Sequence, residues 1–116
     1  MAEHHLTSDL QKRFHYTIGP YADPVLRVKP GDTVIVETHD AFEGKIVTED
    51  TRPSDVLEVP YLNPQSGPIY VESAVKGDAL AVRIHAIKPR GPQPRGTTCL
   101  VPYFGGLTST DKTATL

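Results

Sequence analysis

Tryptophan is missing from this sequence of 116 residues, and methionine and cysteine each occur once. A single cysteine, Cys99, excludes an internal disulfide and fits a reducing compartment, so a cytoplasmic location is the expectation. There is no excess of either charge: 12 Lys and Arg stand against 14 Asp and Glu, a net charge of -2. The basic residues form no cluster, which argues against nucleic acid or an anionic membrane as a partner. No apolar run approaches the length that spans a bilayer, and the first residues, "MAEHHLTSDLQKRF", lack the apolar centre of a signal peptide. Helical periodicity is almost absent too, which disfavours βαβ units and helical bundles.

What is abundant is proline and glycine, 11 and 9 residues, placed between short apolar runs as turns. Val34, Val36 and Thr38 alternate with Thr33, Ile35 and Glu37, the two-residue period of a strand. Leu80, Val82 and Ile84 alternate with Ala79, Ala81 and Arg83 in the same way. Val25–Val28, Ile69–Glu72 and Cys99–Val101 are shorter candidates. The turn signals between them are "KPGD", "NPQSGP", "KGD" and "KPRGPQPRG", the last an extended surface loop because proline cannot donate to a ladder. Together these predict a single all-β domain, an antiparallel sandwich or barrel. Residues 1–13 read as an N-terminal arm or sheet edge, and residues 14–116 as the β-domain.

Two stretches say nearly the same thing. "VKPGDTVIVET" and "VKGDALAVRI" share Val-Lys, a turn closed by Gly-Asp, and an alternating strand. Glycine supplies a positive φ there, and aspartate accepts hydrogen bonds from nearby backbone N–H groups. Two copies are too few to define a repeat, so the local similarity of two hairpins is the preferred explanation over duplication. Their alignment isolates Asp40. If Val34 and Val36 face the core, Asp40 shares that face, where the second copy has Ala86. An inward carboxylate calls for hydrogen bonds, a metal ion or a water-filled cleft.

The stretches "PVLRVKPGDTVIVETHDAFEGKI", "NPQSGPIYVESAVKGDALAVRI" and "FGGLTSTDKTATL" resemble successive N-terminal blocks of the acetamidase/formamidase family. The resemblance runs from about Phe14 to the last residue. It implies a β-sandwich of jelly-roll-like type and hydrolysis of small linear amides, such as formamide or acetamide, to ammonia and a carboxylate. Family members are usually much longer, so the chain reads as a fragment, one piece of a split enzyme, or a decayed copy. Ser73 stands where the family usually has glycine, and Ala86 where an acidic residue is usual.

Amide hydrolysis needs a group that activates water and donors for the developing oxyanion. Asp40 matches the family's acidic residue in the Asp-Ala-Phe block and reads as a general base or metal ligand; the alternative is a carboxylate that caps the turn through Gly44. Glu72 matches the acidic position of the "VEGA" block and is a second catalytic candidate, or an exposed strand glutamate. Asn63 reads either as a polar substrate-binding donor or as part of the rigid turns Asn63-Pro64 and Gly67-Pro68. Gly105 and Gly106 read as a backbone loop whose N–H groups face an oxyanion. His15 lies in the family's early block and is the imidazole candidate, with Asp40, for a divalent ion such as zinc or calcium. No zinc motif of the HExxH or CxxC kind is present, so the metal signal is weak.

His39 points away from Asp40 on a strand and reads as surface, and His4-His5 as solvated. Cys99, in the apolar "CLV", reads as buried and inert. The tail "TSTDKTATL" reads as a short helix start. A sheet edge and apolar face left open by a missing half predict a homo-oligomer, or a second chain carrying the C-terminal half. The competing class is a non-catalytic β-sandwich, a binding or assembly module that keeps the scaffold alone.

Overall fold

The computed structural model describes residues 1–106 and 109–115. Its secondary structure is strands with a single short helix among the described residues: β1 (Glu3–Leu6), β2 (Leu26–Val28), β3 (Thr33–Val36), α1 (Pro53–Val56), β4 (Ile69–Val71), β5 (Cys99–Leu100) and β6 (Ala114–Thr115). The chain is all-β, as its alternation and turn spacing predict. It forms two compact units: Met1–Gly44 with Glu58–Gly77, and Lys45–Leu57 with the residues from Asp78 on.

The first unit is built around the "KPGD" turn. Asp32 N donates to Lys29 O at 3.1 Å, and Gly31 at φ 90 takes the left-handed position that a type II turn requires after Pro30. The strands on either side of this turn do not pair with each other. β3 pairs in parallel with β1, His4 opposite Val34 and Leu6 opposite Val36. β2 pairs in parallel with β4, Leu26 opposite Ile69. Two of the three sheets among the described residues are therefore parallel, which corrects the antiparallel arrangement expected from sequence. A turn signal fixes where the chain reverses, but the partner of each strand is chosen by contacts far along the chain. Each sheet has two strands among the described residues.

The N-terminal residues contribute a strand whose last side chain, Leu6, is fully buried. Gln11 is buried beside it in sequence at 3 % exposure. Its Nε2 donates to Arg13 O and Gly67 O, and its Oε1 accepts from Gly67 N at 2.6 Å. Val25 N donates to Pro68 O at 3.0 Å, leading directly into the β2–β4 pairing. "NPQSGP" thus sets the start of β4, as its structural reading anticipates.

In the second unit β5 pairs antiparallel with β6, Cys99 opposite Thr115. Thr115 Oγ1 donates to Thr51 O at 2.6 Å, and Ser54 N donates to Thr113 Oγ1 at 3.4 Å. The tail expected to begin a helix is a strand at Ala114–Thr115; Leu107, Thr108 and Leu116 lie outside the described residues. A threonine-rich, β-branched end suits a ladder better than a helix. α1 is one turn, opened by Pro53 and closed when Leu57 returns to extended backbone.

The second copy of the repeated pattern behaves differently from the first. Residues 79–90 belong to no helix or sheet and are all exposed. Leu80, Val82 and Ile84, expected to form a strand, are 66%, 74% and 71% exposed. "KPRGPQPRG" is exposed as predicted.

Candidate functional site

Asp40 lies four residues past the end of β3 and is exposed. Its carboxylate accepts from Phe42 N and from Gly44 N, both at 2.8 Å, and closes the turn Asp40–Gly44. The inward placement inferred from strand alternation is corrected: the chain leaves the strand at Glu37, so the period of two no longer applies at position 40. The hydrogen-bonded carboxylate is present, in the capping geometry through Gly44. His39 is exposed as expected and packs edge-on against Phe14, with ring centroids 4.8 Å apart.

This turn is tied to two other segments of the first unit. Asn63 N donates to Ala41 O at 3.2 Å, and Asn63 itself takes φ 58. Tyr16 OH donates to a Glu43 carboxylate oxygen, and the Tyr16 and Tyr61 rings meet edge-to-face at 5.3 Å. His15 exchanges backbone hydrogen bonds with Gln65, N to O at 3.4 Å and O from N at 2.8 Å. The segments carrying His15, Asp40 and Asn63 are therefore stapled together by backbone and ring contacts. His15 lines a cleft of about 190 Å³ with Thr17, Tyr21, Gln65, Ser66 and Gly67.

Glu72 lies elsewhere in the unit. Its N–H donates to Val28 O at 2.8 Å just beyond β4, and its side chain is half-buried. It lines a second, larger cleft of about 450 Å³ with His4, Arg27, Lys29 and Asp32. The Arg27 guanidinium sits 4.3 Å over the Tyr70 ring. Glu72 and His15 thus line different clefts, and Asp40 lines neither. Gly105 and Gly106 are exposed residues of the second unit, Gly105 in a turn at φ 67. Cys99 is half-buried in β5, 3.5 Å from Thr115 Oγ1, in keeping with a packed thiol.

The sequence does not announce the His4–Asp32 pair. His4 Nε2 lies 2.9 Å from Asp32 Oδ2, and the Asp32 side chain is only 8% exposed. Read as solvated, His4 is instead half-buried and bonded. Asp32 also accepts from Ala2 N at 2.8 Å and from Lys29 N at 3.0 Å. The Ala2 amide, then the Lys29 amide and His4 hold its carboxyl well below the usual value of 3.8, with desolvation opposing. A carboxyl with a lowered pKa in the folded state stabilises the fold above its unfolded pKa and loses that contribution as pH falls. Asp32→Asn is thus expected to be less stable than the parent at pH 7, with the gap narrowing steadily below about pH 4. Urea denaturation of both proteins from pH 7 to pH 2 measures this, and a gap independent of pH would contradict it.

A second feature bears on the glycine position of the "VEGA" block. Ser73 takes φ 64, in the left-handed region that favours glycine, with its hydroxyl donating to Glu72 O at 2.5 Å. The backbone beside Glu72 thus keeps the conformation a glycine would adopt freely.

Among the described residues no three His, Cys, Asp or Glu side chains converge to hold an ion. Both Asp40 oxygens already accept turn amides, and no contact joins them to His15. The described residues do not bring Asp40 and His15 together as the donor pair that the resemblance implies, and no chemical step is routed through a divalent ion. No helix among the described residues is long and apolar enough to cross a membrane.

With this geometry in view, the chain belongs to the Acetamidase/Formamidase family, whose profile matches residues 2–114. Among solved structures it is similar to an acetamidase from Yersinia enterocolitica, with 57% identity and a TM-score of 0.88, over 94% of this chain and 33% of that one. It is also similar to an acetamidase from Bacillus halodurans, at 24% identity and a TM-score of 0.67, over 100% of this chain and 36% of that one; at that identity the likeness shows the fold alone. No curated protein matches the chain. The chain spans about a third of the length of the acetamidases it resembles.

Proposed function

We propose that this chain supplies one part of an amidohydrolase acting on the C–N bond of small linear amides, formamide or acetamide, and that it is incomplete alone. The observation that carries the reading is the 57% identity to an acetamidase of which this chain covers 33%. In this reading Asp40 and Glu72 are the carboxylates that serve the attacking water. Asn63 is a donor to the substrate carbonyl as negative charge builds on it. Asp40 commits both oxygens to Phe42 and Gly44, which fixes its direction but leaves it on the surface. A surface carboxylate activates water poorly, because bulk solvent competes for it. Covering polypeptide around Asp40 is what the chemistry still requires.

The purified chain is therefore expected to release no ammonia from formamide or acetamide above buffer background. Turnover by the chain alone, abolished in Asp40→Asn, would show that nothing beyond these residues is needed. The reading also expects the complete assembly to contain further polypeptide, whether as one longer chain or as a second subunit.

A further inference from the structure

The two clefts of the first unit differ in charge. The larger, about 450 Å³, is lined by Arg27, Lys29, Asp32 and Glu72, so it offers full charges of both signs. The smaller, about 190 Å³, has no Asp, Glu, Lys or Arg in its lining. Its polar groups are the hydroxyls of Thr17, Tyr21 and Ser66, the imidazole of His15 and the carboxamide of Gln65. Ile18 and Pro68 add apolar surface. The segments that build it are fixed by the fold. His15 and Gln65 exchange two backbone hydrogen bonds, and Gln11 grips Gly67 at both its N–H and its carbonyl. One wall is the Tyr21 ring, seated on Gly19. A Cβ at position 19 would collide with Tyr21 Cε2, so the ring lies where it does because that residue is glycine.

This lining suits a small, uncharged, polar molecule. An ion entering it would give up hydration and meet no opposite charge. The volume falls below the about 300–1,000 Å³ of pockets that take drug-sized ligands, so the occupant has few heavy atoms. A primary amide carries one accepting oxygen and an NH₂ with two hydrogens to donate, and the Gln65 side chain offers the same set to pair with it. Ser66 Oγ donates its hydrogen to Glu37 O at 2.8 Å, which leaves the hydroxyl oxygen to accept. We propose that this cleft is the binding site of the uncharged amide, with Tyr21 on Gly19 as the wall that limits the size of its acyl group. The proposal rests on the functional reading above and adds where the substrate is held and why the product leaves. Water adds across the C–N bond, ammonia departs with a proton as ammonium, and the carboxylate that remains finds no Lys or Arg in the lining. Asp40 is tied to the same segments, because Asn63, close before Gln65 in the chain, donates to Ala41 O at 3.2 Å.

The test titrates acetamide into the ¹⁵N-labelled chain at pH 7 and follows its amide signals, with acetate and isobutyramide as comparison ligands. Acetamide is expected to shift the signals of residues 15–19 and 65–67 in a saturable way. Acetate and isobutyramide should each bind at least about tenfold more weakly, one for its charge and the other for its bulk. Tyr21 is 80% exposed, so Tyr21→Ala leaves folding intact; it should bring isobutyramide to within about threefold of acetamide. Gly19→Ala should narrow that ratio as well, by displacing the ring. The same titration is run on the Yersinia enterocolitica acetamidase whose matching third is replaced by this chain. Saturable shifts at Arg27, Lys29 and Glu72 in place of the smaller cleft overturn the proposal. So do acetate binding as tight as acetamide binding, a ratio unmoved by both substitutions, or cleft signals unmoved by acetamide in chain and fusion alike. Acetamide held in the cleft of a fusion that releases no ammonia leaves the site standing and removes the functional reading. Ammonia release with the cleft signals unmoved does the reverse.

Discussion

Leu6→Ala is expected to destabilise the chain by about 3 kcal/mol, lowering the thermal midpoint by about 15 °C. Leu6 is 0% exposed at the end of β1, and its carbonyl accepts from Glu37 N at 3.0 Å, where β3 gives way to the next segment. Truncation removes the transfer free energy of three carbon atoms and leaves a cavity that neighbouring backbone cannot fill. The effect weighs heavily because the first unit buries few apolar side chains: Leu6 and Val28 are its buried hydrophobic residues among the described ones. Total stabilities of small domains are only about 5–15 kcal/mol, so a loss of this size is a large part of the whole. Leu10→Ala, at a position 50% exposed, serves as the comparison and should cost within about 0.5 kcal/mol. A Leu6 variant indistinguishable from the Leu10 variant would mean that β1 is an undocked arm.

Gln11→Ala should cost about 2–3 kcal/mol, for a different reason. Its side chain satisfies Gly67 through both the oxygen and the nitrogen of its amide, over 56 residues of chain. Removing it strands a buried N–H and a buried carbonyl, and each unsatisfied group costs about 1–3 kcal/mol, reduced where water enters. Gln11→Glu separates this account from simple loss of volume. A carboxylate keeps the bond from Gly67 N but has no hydrogen to offer Gly67 O or Arg13 O. The Glu variant should therefore be destabilised at pH 7 and recover part of the loss on mild acidification, whereas the Ala variant should not. Equal responses of the two to pH would rule out the clamp.

The contrast between these two residues and the features visible in sequence is physical. "KPGD" is legible because everything it does is local: Pro30 presets φ, Gly31 supplies the positive one, and Asp32 accepts from Lys29 three residues back. β2, β4 and β5 are legible from short apolar runs between turn residues. Gln11 is not, because nothing in "DLQKR" reveals a partner 56 residues away. Parallel pairing of β1 with β3 escapes for the same reason, since a four-residue strand carries no mark of its neighbour. A period of two extended past Val36, where the strand ends, misplaces Asp40. Leu80–Ile84 shows the opposite case. Its pattern is that of a half-buried strand, yet among the described residues it lies exposed and joins no sheet. Of the candidate site, the turn containing Asp40 and the bend at Asn63 are where local chemistry puts them, while the His4–Asp32 pair beside Glu72 depends on β1 docking against β3.

The central claim, that these residues are a working portion of an amidohydrolase that cannot act alone, has one direct measurement. The third of the Yersinia enterocolitica acetamidase that this chain covers is replaced by it, and ammonia release from acetamide is compared between the fusion and the chain by itself. The account predicts turnover by the fusion, lost in its Glu72→Gln and Asp40→Asn variants, and background from the chain. A folded fusion without activity, or turnover by the isolated chain, would contradict it.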